Sequence, residues 1–386
     1  MSQLFFTASQ IISGSGAASA ALPELLKLGK RPLVVSGPRV SATPAAQTYL
    51  FQLKEAGLDC SLFTGISGEP DSQMVLLGCQ AYRLNRCDFV LGLGGGSALD
   101  AAKAIALLVR QPVRLADLAG QTVRLERVPL AALPTTAGTG SEVTQFTVIT
   151  DLDTQVKMLL KGPAFMPDLA ICDPDFSLDL PTAVTCYSGL DALTHALEAY
   201  TSRKAQPLSD ALALDAVSRL FQGLPAALQH PGDPELRASL LTAATEAGMA
   251  INNASVTLIH GMSRPLGALF HVPHGLSNAM LLPLGLSYAW PGAPQRFAAL
   301  SRAAGLAESR TDDCQACEAL MEGLRELNRL CAIPGPAAYG LDRQTFMAVK
   351  EKMARDALAS GSPAQTIRPV DQAAILQIYD QLWLHE

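Results

Sequence analysis

The sequence predicts an α/β N-terminal domain, a Rossmann-like parallel sheet, followed by an all-α C-terminal metal-binding domain. Three observations lead there. Short apolar runs alternate with amphipathic helical stretches through the first part of the chain, the pattern of a parallel sheet covered on both faces. Beyond about residue 180 the texture changes to long Ala/Leu-rich helical stretches with few β-branched runs. In that second part Asp191 and His195 stand four apart, and three of the six histidines fall between residues 260 and 274. At 386 residues the chain exceeds the size at which one hydrophobic core stops growing, so two domains are expected, 1–181 and 182–386, with Pro181 at the switch.

The elements follow in order. Residues 4–12 alternate loosely as a strand, a glycine turn follows at Gly14 and Gly16, and 17–28 has helical periodicity closed by Gly29. Residues 32–36 read as a buried strand, 45–56 as a helix and 59–63 as a strand. Residues 73–85 then read as a helix and 89–93 as a strand running into a glycine cluster. In the second part the clearest helices are 208–220, 235–250, 314–330 and 371–384, punctuated by Pro207, Pro225, Pro231 and Pro234 rather than joined by a linker.

Composition narrows the function. Apolar residues make up 49% and charged ones 17%, which suits a large globular enzyme or a homodimer or higher homo-oligomer with buried faces. A net charge of −6 and an aromatic content of 5% leave no basic footprint for nucleic acid. The eight cysteines form no regular framework, and Cys314-x-x-Cys317 has no second pair to complete a metal site, so reduced thiols in a cytoplasmic protein are expected. No basic n-region opens the chain and no apolar run is long enough to span a membrane, so neither export nor membrane insertion is expected.

Gly94-Gly95-Gly96-Ser97 lies between a strand and a helix that carries Asp100 and Lys103. Glycines let backbone N–H groups approach a pyrophosphate, and the helix start adds a favourable dipole. The spacing is not Gly-x-Gly-x-x-Gly, and taken alone the motif also reads as a plain tight turn. A second loop, Pro134-Thr135-Thr136-Ala137-Gly138-Thr139-Gly140-Ser141-Glu142, rich in hydroxyls and glycines, favours a dinucleotide site.

On a helix, Asp191 and His195 leave the same face one turn apart and supply half a coordination shell. His260 and His274 supply the other half, an Asp/His₃ set that suits Fe(II) or Zn(II).

With these motifs in this order, the sequence resembles the iron-containing (group III) alcohol dehydrogenases, of dehydroquinate synthase-like fold, over essentially its whole length. The motifs are Gly-Gly-Gly-Ser-x-x-Asp-x-x-Lys at 94–103, Pro-Thr-Thr-Ala-Gly-Thr-Gly-Ser-Glu at 134–142, Gly-Leu-Asp-Ala-Leu-Thr-His at 189–195 and the two histidines at 260 and 274. The resemblance implies that Asp191, His195, His260 and His274 bind Fe²⁺, with Zn²⁺ as the alternative. It also implies that Gly95, Gly96, Ser97, Thr135, Thr136, Thr139 and Lys157 touch the dinucleotide, with Asp100 near it and Thr144, Leu178 and Leu180 lining the cleft. His274 is implied to lie closest to the nicotinamide. The implied reaction is metal-assisted hydride transfer between a small-molecule alcohol and its aldehyde or ketone.

Two positions depart from the family. Where many members carry a second histidine four residues after the third ligand, this chain has Arg264, which cannot shuttle protons at neutral pH. Either His271 relays the proton, or solvent and the coenzyme ribose do. Arg264 then pairs with an anionic group on the substrate, such as the carboxylate, sulfonate or phosphonate of a hydroxy acid, or else with a protein carboxylate. Where the family commonly places an aspartate against the adenosine ribose, the chain has Gly37 followed by Arg39, which leaves NAD and NADP both open. The alternatives are a maleylacetate reductase-like enzyme, a non-redox lyase of the same fold, and a nucleotide-binding structural protein.

Overall fold

The computed structural model describes residues 3–154 and 156–384. Its contacts divide the chain into two compact units, one of residues 6–180 and 232–248, the other of residues 1–5, 181–231 and 249–386.

The first unit is built on six parallel strands, β1 (Gln10–Ser13), β2 (Pro32–Ser36), β3 (Ser61–Phe63), β4 (Phe89–Gly94), β5 (Leu130–Pro134) and β8 (Leu169–Cys172), in the order β1-β8-β5-β4-β2-β3. A hairpin of β6 (Phe146–Asp151) and β7 (Val156–Lys161) stands apart from the sheet. Helices α1 (Ala17–Ala20), α2 (Leu22–Leu28), α3 (Pro38–Ser41), α4 (Pro44–Glu55), α5 (Ser72–Leu84) and α6 (Gly96–Leu108) connect the strands. β2 and β4 are apolar without alternation because both faces are covered. Their register pairs Leu33 with Val90 and Val34 with Leu91. Leu33, Val35 and Val90 pack with α5 and α6 residues such as Val75 and Ile105. Val34, Phe89 and Leu91 face the opposite core, with Leu25, Tyr49 and Leu53.

The second unit is helical: α7 (Thr182–Tyr200), α8 (Pro207–Gln229), the end of α9 (Pro234–Asn253), α10 (Leu258–Phe270), α11 (His274–Ala289), α12 (Pro294–Ala303), α13 (Asp313–Leu330), α14 (Pro336–Tyr339), α15 (Arg343–Ala359) and α16 (Gln372–Gln381). The sequence stops the second helix of this group at 220, whereas α8 runs on through Pro225 to Gln229. No helix among the described residues is long and apolar enough to cross a membrane.

Through residue 248, α9 belongs to the first unit. Thr245 on it donates to the buried Glu142 at 3.1 Å, and its Gly248 lies against Gly140 so closely that a Cβ at 248 would sit 2.7 Å from the Gly140 Cα. Gly140 has φ +61°, a left-handed conformation that glycine adopts without strain. Backbone therefore meets backbone at the second glycine-rich loop.

Candidate metal centre and nucleotide loop

Three helices of the second unit bring the four expected ligands together. α7 carries Asp191 and His195 one turn apart, α10 brings His260 in its first turn, and α11 begins at His274. One donor atom from each of the four lies within 4.8 Å of all the others. Asp191 Oδ1 is 3.7 Å from His260 Nε2, 3.6 Å from His274 Nε2 and 4.0 Å from His195 Nε2. The His195 and His260 rings stack at 4.5 Å. Gly275 makes the approach of α11 possible, since a Cβ there would lie 2.2 Å from the Tyr187 carbonyl oxygen of α7.

Asp191, His195 and His260 are buried, and His274 alone is half-exposed, which leaves the cluster open on that side. Burial pushes the Asp191 carboxyl upward, but His195, His274, His260 and the Asn278 amide outweigh it and hold it below the ordinary carboxylate range.

The donor set fits a divalent transition metal by its chemistry: one carboxylate, three imidazoles and an open side. Asn278, one turn beyond His274, makes the same point. Its Nδ2 lies 2.7 Å from Asp191 Oδ1, 3.1 Å from His260 Nε2 and 3.3 Å from His274 Nε2, so a carboxylate oxygen and two ring nitrogens converge on one small group. Asn278 is fully buried and its Oδ1 has no hydrogen-bond partner. Such a pocket is rich in lone pairs and short of positive charge.

Sequence reasoning missed both Asn278 and Glu198. Glu198 is fully buried three residues after His195, and its Oε2 lies 2.6 Å from His260 Nδ1. Burial raises its pKa, but His260 and Thr257 reverse the shift and leave the carboxyl below its ordinary range. Helical spacing from the named ligands was the available signal for both residues.

Arg264 follows His260 by one turn of α10, is half-buried, and donates to Ser362 Oγ at 3.1 Å. Among the described residues no carboxylate lies within ion-pair distance of it. Burial pulls the guanidinium below its ordinary range, and the charge of Glu198 opposes that pull. His271 is exposed and closes α10 in the left-handed region at φ +54°, where histidine occurs more often than most residues.

In the first unit β4 ends at Gly94, and Gly95 caps α6. A Cβ on Gly96 would lie 2.7 Å from the Thr139 side chain, and one on Gly95 would lie 3.5 Å from the Thr136 hydroxyl. The two glycine-rich loops are thus in contact through the expected residues. Thr135 is buried, with its hydroxyl unpartnered. Ser97 lies in the first turn of α6, where N–H groups lack intrahelical partners.

Asp100 is turned inward: its carboxylate accepts from Ser141 Oγ at 2.7 Å and Val148 N at 2.9 Å. Burial raises its pKa, and Lys103 and these hydrogen bonds oppose that shift. Lys103, also fully buried, donates to the Thr144 carbonyl at 2.9 Å, the Thr144 hydroxyl at 3.2 Å and the Phe146 carbonyl at 2.7 Å. Burial brings its pKa down to about 8. Lys157 on β7 pairs with Glu69 at 2.7 Å. Gly37 follows β2 with Arg39 exposed nearby, and Leu178 and Leu180 lie half-buried after β8.

The description "Iron-containing alcohol dehydrogenase" matches residues 8–174, and that of the C-terminal domain of the Fe-containing alcohol dehydrogenase family matches residues 185–383. The chain belongs to the iron-containing alcohol dehydrogenase family. It is similar to the probable alcohol dehydrogenase EutG of Escherichia coli (strain K12), 41% identical over 272 residues that cover 70% of this chain and 68% of the relative. Its structure resembles that of a 1,3-propanediol oxidoreductase with TM-score 0.95 and 30% identity over 99% of this chain and 100% of the other. It also resembles the sulfoacetaldehyde reductase of Bifidobacterium kashiwanohense, solved in complex with NAD+, with TM-score 0.89 and 26% identity over 100% of both chains. The protein is an oxidoreductase of this iron-type class, whose members include NAD- and NADPH-dependent dehydrogenases.

Proposed function

We propose that this dehydrogenase interconverts an alcohol bearing an anionic group and its aldehyde, using Fe²⁺, or Zn²⁺ in its place, at Asp191, His195, His260 and His274. The observation that carries the reading is the convergence of those four donor atoms within 4.8 Å on a half-open pocket. Bound there, a divalent cation supplies Lewis acidity toward the alcohol oxygen. Arg264, one turn from His260 and without a protein carboxylate to pair with, takes the carboxylate, sulfonate or phosphonate of the substrate. That charge favours the hydroxy-acid reading. His271, exposed at the end of α10, passes the proton to solvent, because a guanidinium at 264 does not.

In the first unit, backbone N–H groups at Gly95, Gly96 and Ser97 hold the coenzyme pyrophosphate, with hydroxyls from Thr135, Thr136 and Thr139 beside it. Gly37 in place of an acid removes repulsion toward a 2′-phosphate and Arg39 offers it a partner, so NADP(H) stands beside NAD(H) as the coenzyme. All eight cysteines are free, which supports a reducing cytoplasm, and the apolar composition supports a homodimer or larger homo-oligomer.

The test is a panel of neutral and anionic alcohols and aldehydes with anaerobically iron-loaded protein and each coenzyme. Turnover that needs metal and favours the anionic substrates is expected; undiminished activity in metal-free protein overturns the mechanism.

A further inference from the structure

We infer that Glu198 is a positioning residue for the metal centre, fixing His260 in the tautomer whose bare Nε2 faces Asp191, His195 and His274. The inference rests on the proposed reading of those four residues as ligands.

Glu198 lies seven residues after Asp191 and three after His195 on α7, so the three side chains leave related faces within two turns of one helix. Its carboxylate is completely enclosed. Four donors surround it: Thr257 N–H on Oε2 at 3.0 Å, Thr257 Oγ1–H on Oε1 at 2.8 Å, Ile259 N–H on Oε1 at 2.6 Å, and the His260 Nδ1 on Oε2 at 2.6 Å. An ionised carboxylate has only acceptors to offer, and here its acceptor sites are filled by donors. The ring proton of His260 is therefore on Nδ1, which leaves the lone pair on Nε2, 3.7 Å from Asp191 Oδ1.

A second consequence follows from the same hydrogen bonds. Thr257, the residue that caps α10, makes no side-chain bond to that helix, and Glu198 takes the Ile259 N–H in its stead. One carboxylate thus sets both the start of the helix that carries His260 and the rotation of the ring. A ring held from Nδ1 is a better donor at Nε2 and loses less freedom when a cation binds.

An amide at 198 separates this role from simple support. In Glu198→Gln one acceptor becomes an NH₂ group of the same size. If it faces His260, the ring takes the other tautomer and its lone pair leaves the cluster; if it faces Ile259, that N–H loses its partner. Thr257→Val loosens the same turn by removing one donor to Glu198 while leaving the His260 contact in place.

The experiment measures Zn(II) and anaerobic Fe(II) affinity by chelator competition for wild type, Glu198→Gln, Thr257→Val and His195→Ala. It is joined by ¹⁵N-imidazole NMR of metal-free wild type, which needs no variant to fold. Expected are a loss of roughly 10- to 100-fold in affinity for Glu198→Gln, wild-type affinity for Thr257→Val, and an Nδ1-protonated His260. Wild-type affinity in Glu198→Gln, an equal loss in Thr257→Val, or an Nε2-protonated His260 each overturns the inference. If wild type and His195→Ala bind metal equally poorly, the ligand reading itself fails, and this inference fails with it.

Discussion

Replacing Gly248 with alanine sets two effects of known size against each other. Gly248 sits inside α9, where alanine is favoured over glycine by about 1 kcal/mol in an unobstructed helix. Its missing Cβ, however, would lie 2.7 Å from the Gly140 Cα, 2.9 Å from the Gly140 oxygen and 3.0 Å from Val143 Cγ2. The first two are backbone atoms in a loop that cannot swing aside as a long side chain does, and Val143 is fully buried. Overpacking of this kind costs about 1–3 kcal/mol, and the backbone contacts place it at the upper end. The net effect of Gly248→Ala is a loss of about 2 kcal/mol, which lowers the melting temperature of a unit of this size by roughly 4–8 °C. The displaced segment includes Thr139, proposed above to stand beside the coenzyme pyrophosphate, and on that reading coenzyme affinity falls as well. Thermal melts followed by circular dichroism and coenzyme titrations followed by fluorescence measure the two effects. A variant more stable than wild type, by the helix-propensity gain alone, refutes the close contact between α9 and the loop.

Metal loading gives a second test: at one hundred times Kd a divalent cation adds about 2.7 kcal/mol, raising the melting temperature by roughly 5–11 °C in a unit of this size. Scanning fluorimetry of chelator-stripped and reloaded protein reads the shift, and His195→Ala abolishes it. Arg264→Ala lowers kcat/KM for anionic alcohols by about 10- to 100-fold, the worth of one charged hydrogen-bonded contact, and leaves neutral alcohols unchanged; an unaltered preference rejects the anion role. Burial pushes the thiols of Cys60, Cys79 and Cys317 up to about 11. Because those folded-state values are raised, their contribution to stability is complete below the ordinary thiol range and is lost as pH climbs toward 11. Lys103, lowered by burial, works in the opposite sense across the same range. With three thiols against one lysine, melting temperature falls from about pH 9 upward, and Cys79→Ala flattens that fall in calorimetry.

The sequence revealed what periodicity and punctuation record. β2 and β4 were legible as unbroken apolar runs ended by glycine, and the long helices as Ala/Leu repeats. The four converging donors could be named because two share a helical turn and two lie in a histidine-rich segment. The hairpin β6–β7 was not legible: Thr147 and Thr150 interrupt its apolar pattern, and its pairing is local rather than with the sheet. The attachment of the first part of α9 to the nucleotide unit depends on two glycines in contact, and a contact made by missing side chains leaves no hydrophobic signal. Glu198 and Asn278 lay one turn from named ligands, within reach of helical spacing, but a single carboxylate or amide on an apolar helix also reads as an ordinary exposed residue. Asp100 sits in the glycine-rich motif, and its carboxylate accepts from Ser141 and Val148, contacts that the motif itself does not announce.

Two enclosed carboxylates on α7, Asp191 and Glu198, also settle the electrical balance of the pocket. With neutral imidazoles they bring two negative charges to buried positions on one helix, with the positive charge of Arg264 acting on Glu198 and His274 leaving one side open. A cation held beside Asp191 offsets the cost of burying these carboxylates, and a dipositive ion does so more strongly than a monovalent one at the same distance. Charge therefore works together with the imidazole donors, which suit transition metals rather than alkali ions. Alkali cations should be displaced from the centre by ferrous iron or zinc.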